Sequence, residues 1–178
     1  MSQKINPFKI KFRKIIQSDL ILLKMWRNSG KIFPYNTQYT LLNMENQKKW
    51  FSEQRKSNEN KMFMVIFNNQ PIGICGLIHF DHENKNADVA IIIGETQFHG
   101  QGIGKNILLK LITYGFKKLN LNRIGAEIFE YNKISENLFC DLNFIFECTL
   151  RQSLWRDGKW WNVNKFSILK NEFDILLY

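Results

Sequence analysis

Val89-Ala90-Ile91-Ile92-Ile93-Gly94, the spacer Glu95 to Phe98, then His99-Gly100-Gln101-Gly102-Ile103-Gly104-Lys105 form the stretch that decides the fold. It reads as a β-strand that delivers a glycine turn to the start of a helix. Glycines let backbone N–H groups approach a ligand closely, and a helix N-terminus adds about half a positive charge, so a pyrophosphate suits such a turn. Two other glycine motifs fail on spacing. The dinucleotide fingerprint asks for glycine where Lys105 stands, and the P-loop asks for Ser or Thr after the lysine, where Asn106 stands. A turn that merely joins strand to helix is the plain alternative.

Outward from this turn, Ile107, Leu108, Leu111, Ile112, Gly115, Phe116 and Leu119 recur at helical spacing and predict a helix over Ile103 to Leu119. Upstream, Phe8 to Ile16 alternates as a strand, Ser18 and Asp19 offer caps for a helix over Leu20 to Asn28, and a second helix spans about Asn43 to Ser57. In the first helix Leu20, Leu23, Met25 and Trp26 are expected to face inward. Met62 to Phe67 and Ile72 to Phe80 are short apolar runs joined by Asn68-Asn69-Gln70-Pro71, a hairpin signal, and Ala87 to Gly94 follows as the next strand. Downstream come a strand at Arg123 to Phe129, a short helix at Ile134 to Leu142, and a hairpin of Phe144 to Trp155 with Trp160 to Leu169. The order predicts a single α/β domain over residues 1–178, with a mixed sheet covered on both faces.

Hydrophobic residues at 44% and charged residues at 23% of 178 give the balance of one ordinary core. No apolar run is long enough to cross a bilayer and the start lacks a signal-peptide core, so a cytoplasmic protein without a membrane partner is expected. Cys75, Cys140 and Cys148 show no metal spacing and are read as buried, reduced thiols, with no metal site. The net charge of +9 is spread without a basic block. That argues against nucleic acid and for small anionic ligands, while a polycationic substrate would be repelled.

His99-Gly100-Gln101-Gly102-Ile103-Gly104 resembles the Gln/Arg-x-x-Gly-x-Gly/Ala signature of the GNAT superfamily of N-acetyltransferases, with His99 in place of the usual Gln or Arg. The resemblance extends over nearly the whole chain. Ala126-Glu127-Ile128-Phe129-Glu130-Tyr131-Asn132 looks like the family's fifth strand, and Ser135 to Phe144 like the helix after it and its exit. Trp26-Arg27-Asn28, with Trp50-Phe51, is similar to the subgroup of ribosomal-protein and amino-sugar-nucleotide acetyltransferases. The family implies about seven strands splayed between the fourth and fifth, about four flanking helices, and acetyl-CoA as co-substrate. Carried over residue by residue, the cofactor site would comprise Ile91, Ile92, Ile93, His99, Gly100, Gln101, Gly102, Ile103, Gly104, Lys105, Asn132, Ser135 and Phe139.

The implied reaction is direct attack of a primary amine on the thioester. The amine must be neutral, and an alkyl amine has a pKa of about 10, so a base is needed nearby. Glu127 matches a glutamate that serves as base in some ribosomal-type relatives; alternation sets it with Phe129 and Tyr131, opposite Ile128, where solvent exposure is the competing reading. Glu95 and Asp88 are lesser candidates. The family's thiolate-protonating tyrosine is replaced by Phe139, which leaves the proton to water, Tyr131, His99 or Cys140, the last more simply a small buried helix residue. A backbone N–H around Ile92 to Gly94 would meet the charge developing on the thioester oxygen. Asn132 either touches the pantetheine or caps a helix. Arg27, Asn28, Tyr35 and Tyr39 occupy the region that shapes acceptor sites in the family. Trp155, Trp160 and Trp161 flank the hairpin turn and would pack the core, roof the acceptor or join a homodimer. The leading acceptor is an amino-sugar nucleotide, ahead of protein N-termini or ribosomal proteins and then polyamines. A GNAT-like module that binds acyl-CoA without turnover is the non-catalytic alternative.

Overall fold

Ile10, Phe12 and the residues between them alternate as one strand of a seven-stranded sheet in the computed structural model, which describes residues 9–175. The strands are β1 (Ile10–Lys14), β2 (Lys61–Phe67), β3 (Gln70–Asp81), β4 (Asn86–Ile93), β5 (Arg123–Phe129), β6 (Ile145–Arg156) and β7 (Lys159–Leu169), in the spatial order β1-β2-β3-β4-β5-β7-β6. The helices are α1 (Leu20–Asn28), α2 (Met44–Lys56), α3 (Ile103–Lys118), α4 (Lys133–Cys140) and α5 (Lys170–Ile175). Every element expected from the sequence is present, with its ends shifted by a residue or two. The expected first strand began at Phe8, which lies outside the described residues. α5 was not expected: six residues carry little periodicity, and it is held by burial of Phe173 against Phe116, with ring centroids 5.3 Å apart.

The two sheet faces are covered by different helices because the strands carry apolar residues on both sides. Val65, Cys75, Leu77, Ile124 and Ile128 meet the inner face of α3, where Ile107, Leu108, Leu111 and Ile112 are 0–1% exposed. Met64, Ile74 and Ile92 share a cluster with Leu20, Leu23 and Trp26 of α1 and with Met44, Trp50 and Phe51 of α2. Met25, expected inward, is 59% exposed, since Leu20, Leu23 and Trp26 already define the buried stripe and Met25 falls outside it. Asn68 and Asn69 both have positive φ, 49° and 64°, as the two-residue turn between β2 and β3 requires.

The β4–β5 contact positions the site. These strands run parallel through three pairs only, Asn86–Arg123, Ala87–Ile124 and Asp88–Gly125, and then part. β4 stays paired to β3 as far as Ile93 and β5 to β7 as far as Phe129, so the sheet opens between its two central strands. Val89 to Ile93 are five consecutive apolar residues in mid-sheet, yet all are only partly buried.

Candidate active site

One hydrogen bond sets the phase of each wall of this opening. The Gly94 N–H donates to the Ile72 carbonyl at 2.8 Å, one step beyond the Gly73–Ile93 pair. Bonding alternates along an antiparallel ladder, so Ile92 and Ala90 turn their main-chain groups to β3, while Val89, Ile91 and Ile93 turn theirs toward β5; the last parallel pair, Asp88–Gly125, takes the Val89 N–H, and the Val89 carbonyl, Ile91 and the Ile93 N–H face the opening. Across from them, the Glu130 N–H donates to the Asn162 carbonyl at 3.1 Å, one step beyond the Phe129–Val163 pair, so Glu127 and Phe129 face β4. Of the expected oxyanion donors around Ile92 to Gly94, Ile92 and Gly94 are therefore engaged with β3, and the β4 amides left to the opening are those of Ile93 and, one step outside the expected range, Ile91.

The opening leads to the glycine turn. Gly100 and Gly102 have φ of 72° and 75°, with nothing near a would-be Cβ, and Gly102 is the N-cap of α3 with no side chain to offer. The first-turn amides of Ile103, Gly104 and Lys105 consequently lack intrahelical acceptors. Gly104 is buried against Ile93 and Leu138, which brings the helix end up to β4 and α4. His99 folds back, its Nε2 2.9 Å from the Ile93 carbonyl, and so donates there; the Gln101 side chain donates to the Gln97 carbonyl. Lys105 is half-exposed, 3.9 Å from Asp141. The unfilled donors are thus backbone N–H groups at a helix end, the donor set that a pyrophosphate fits.

Of the other expected cofactor contacts, Asn132 accepts from the Ser135 N–H at 3.2 Å and is the N-cap of α4, which is the structural of its two readings. Phe139 is 4% exposed and stacks edge-on with Phe144, 5.0 Å between centroids; it is a core residue. Cys140 and Cys148 are exposed, against the expectation of buried thiols, because Cys140 falls on the outer side of α4 and Cys148 on edge strand β6. Only Cys75 is buried, and burial pushes its thiol far up.

Glu127 projects from β5 with a half-exposed side chain, as the competing reading foresaw, and pairs with Lys165 at 2.9 Å across a non-hydrogen-bonded pair of β5 and β7. This contact holds the Lys165 ammonium above its usual pKa, through the hydrogen bond first and the charge second. Asp88 stands at the last bonded β4–β5 pair, beside Gly125 on the same sheet face, 3.1 Å from His79 Nδ1. The two carboxylates therefore flank the point where the strands separate. Glu95 instead accepts from the Trp26 indole at 2.9 Å at the end of β4, where a Cβ on Gly94 would collide with that indole. Leu22, Met25, Trp26, Gly30, Gly94 and Glu95 line an open cleft there.

The acceptor-side residues divide. Asn28 is fully engaged, donating to the Leu42 carbonyl at 2.8 Å and accepting from the Leu42 N–H at 2.9 Å, and is corrected to a loop staple. Tyr39 donates to Asp157 at 2.7 Å, and that bond raises its pKa. Tyr131 donates to the Pro34 carbonyl at 2.7 Å, and burial raises its pKa. Its proton is held by a backbone acceptor, which removes it as the free acid expected. Tyr35 packs on Tyr131, and Tyr131 on Trp161, whereas Trp155 and Trp160 are each 52% exposed and pack no core. Arg27 stands apart with no hydrogen-bond partner for its buried Nε. Sequence reasoning missed Arg156 and Asn36, which tie the hairpin tip to the α1–α2 loop; no local signal marks a contact 120 residues long.

Residues 9–145 match the family described as acetyltransferase (GNAT) domain. An uncharacterized N-acetyltransferase, p20 of Bacillus licheniformis, is 38% identical over 57% of this chain and 57% of its own length. The putative ribosomal N-acetyltransferase YdaF of Bacillus subtilis is 28% identical over 62% of this chain and 60% of its own. The match thus spans little more than half of these curated relatives. The crystal structure of spermidine N-acetyltransferase from Vibrio cholerae in complex with CoA and spermine superposes with a TM-score of 0.87 at 20% identity, over 93% of this chain and 98% of that one; at this identity the likeness is one of fold.

Proposed function

The chain belongs to the GNAT acetyltransferase domain family, and on that premise we propose that it transfers the acetyl group of acetyl-CoA to a primary amine of a small acceptor. One observation carries this reading: the central strands part after three pairs and leave the Val89 carbonyl, the main-chain groups of Ile91 and the Ile93 N–H facing an opening that leads to a glycine-capped helix end. An amide chain such as pantetheine can complete the interrupted ladder, and the α3 amides suit the pyrophosphate.

In the reaction the amine nitrogen attacks the thioester carbonyl carbon, the C–S bond breaks, and the proton from nitrogen passes to a base. Glu127 takes that proton, through water, from its half-exposed position; Asp88, across the strand divergence, is the alternative carboxylate. An N–H of Ile91 or Ile93 meets the developing oxyanion. With Phe139 packed in the core and Tyr131 bonded to Pro34, the departing thiolate takes its proton from solvent.

For the acceptor, the names of relatives favour a polyamine over the amino-sugar nucleotide that the subgroup resemblance suggested. Against a polyamine, Leu20 to Met44, which includes the α1–α2 loop, contains no acidic residue, although it holds Lys24, Arg27 and Lys31. The test is CoA thiol release from acetyl-CoA with spermidine, a 4-amino-sugar nucleotide and an alanine-starting peptide, with Glu127→Gln and Asp88→Asn alongside. The expected result is turnover with one amine class and a kcat lowered about 10²- to 10⁴-fold in Glu127→Gln. A larger loss in Asp88→Asn would transfer the base role to Asp88.

A further inference from the structure

Arg27 occupies the last turn of α1 in line with Leu23 and Leu20, four and seven residues before it, both 1% exposed. A guanidinium on that stripe is drawn out of water, and burial lowers its pKa. Its Nε is buried without a hydrogen-bond partner, and among the described residues no carboxylate lies within ion-pair distance of it.

The orphan is not isolated. Asn36, 4% exposed, donates its Nδ2 to the Arg27 carbonyl at 2.6 Å, and its Oδ1 is likewise buried without a partner. Arg156 reaches over from the tip of the β6–β7 hairpin, donating to the carbonyls of Asn36 at 3.3 Å and Thr37 at 2.7 Å with its guanidinium carbon 4.4 Å from the Tyr39 ring centre. Its Nε is the third orphan, and it too has no carboxylate partner among the described residues. One hydrogen-bonded chain, Arg27–Asn36–Arg156, therefore contains three of the four unpartnered buried side-chain atoms among the described residues, two of them on cations. The Arg156 guanidinium also lies 5.9 Å from the ring centre of Phe129, the last residue of the β5 wall, which sets the cluster at the end of the opening.

Buried polar groups are ordinarily paired, and a run of unpaired ones is what a binding site retains for its ligand. We propose that Arg27, backed by Arg156, binds an anionic group, phosphate or carboxylate, carried by the acceptor amine, with Asn36 Oδ1 accepting an O–H or N–H of the same molecule. The proposal rests on the acetyltransferase reading and deepens it: the acceptor is an amine with an anion attached, and a bare polyamine, which brings only further cations to these arginines, is a poor substrate.

The experiment compares amines that differ in one group, 3-aminopropyl phosphate, 1,3-diaminopropane and butylamine, by thiol release from acetyl-CoA in wild type, Arg27→Gln and Arg27→Lys. Wild type is expected to prefer the phosphate. Arg27→Gln lowers its kcat/KM about 10- to 100-fold with the KM for acetyl-CoA unchanged, and Arg27→Lys restores part of the loss. In parallel, with CoA present at saturation so that the α3 amides are occupied, inorganic phosphate raises the Tm of wild type and leaves that of Arg27→Gln unmoved, a readout that needs no turnover. Preference for the diamine, or a phosphate-induced Tm shift retained in Arg27→Gln with CoA present, overturns the proposal. Absence of acetyl-CoA binding in a calorimetric titration removes the acetyltransferase reading instead, and the phosphate shift then decides the anion site by itself.

Discussion

Asp19 lies almost buried under Arg13, whose two terminal nitrogens donate to it at 2.7 and 2.8 Å while it accepts from the Ile16 N–H at 2.8 Å. Burial alone would raise its pKa, but the Arg13 hydrogen bonds, the Ile16 amide and the Arg13 charge outweigh burial and hold the carboxyl below its usual value. A depressed folded-state pKa contributes stability above the unfolded value of about 3.9, and that contribution is lost as pH falls through the folded value. Asp19→Asn is expected to cost about 1–3 kcal/mol at pH 7, with the gap to wild type closing below about pH 4. Urea unfolding at pH 7 and pH 3 measures it, and a gap that stays constant would contradict the assignment. At this scale the sequence was legible where a side chain's role follows from its own neighbours. Glu127 is exposed as β-alternation allows, and Asn132 caps the helix it precedes. It was not legible at Asn28, whose amide is occupied by Leu42, or at Tyr131, whose hydroxyl meets Pro34, because those partners depend on the path of the α1–α2 loop.

Among the elements, α3 and the turn before it were the most readable, since glycine spacing and helical period are local signals. The opening beside them was only half readable. That β4 and β5 part follows from family resemblance, but which β4 amides face the gap depends on the long-range Gly73–Ile93 register, so of the expected Ile92 to Gly94 only Ile93 faces it, joined by Ile91. Gly102→Ala tests the turn. A Cβ there meets nothing, so the cost is conformational, about 1–2 kcal/mol of stability for a left-handed residue. The same strain tilts the α3 amides, and acetyl-CoA affinity should drop by about tenfold or more, whereas Gly30→Ala, equally open with no positive φ, should change neither. Thermal unfolding and calorimetric titration of the three proteins provide the comparison; unchanged affinity in Gly102→Ala would move the pyrophosphate away from this turn.

Taken whole, the molecule is a sheet whose central strands are covered by helices on both faces and part at one seam, and it carries a net charge of +9 that favours anionic ligands at that seam. The opening accounts for three features at once: five half-buried apolar residues in a central strand, unpaired ladder groups on both walls, and bare amides at the α3 end. The most direct measurement is amide hydrogen exchange with and without acetyl-CoA. The account predicts that the Ile91 and Ile93 amides exchange fast in the free protein and slow on binding, together with Ile103 to Lys105, while Val89, Ala90 and Ile92 are protected throughout. Acetyl-CoA that binds without protecting Ile91 and Ile93, or that does not bind, would contradict the central claim.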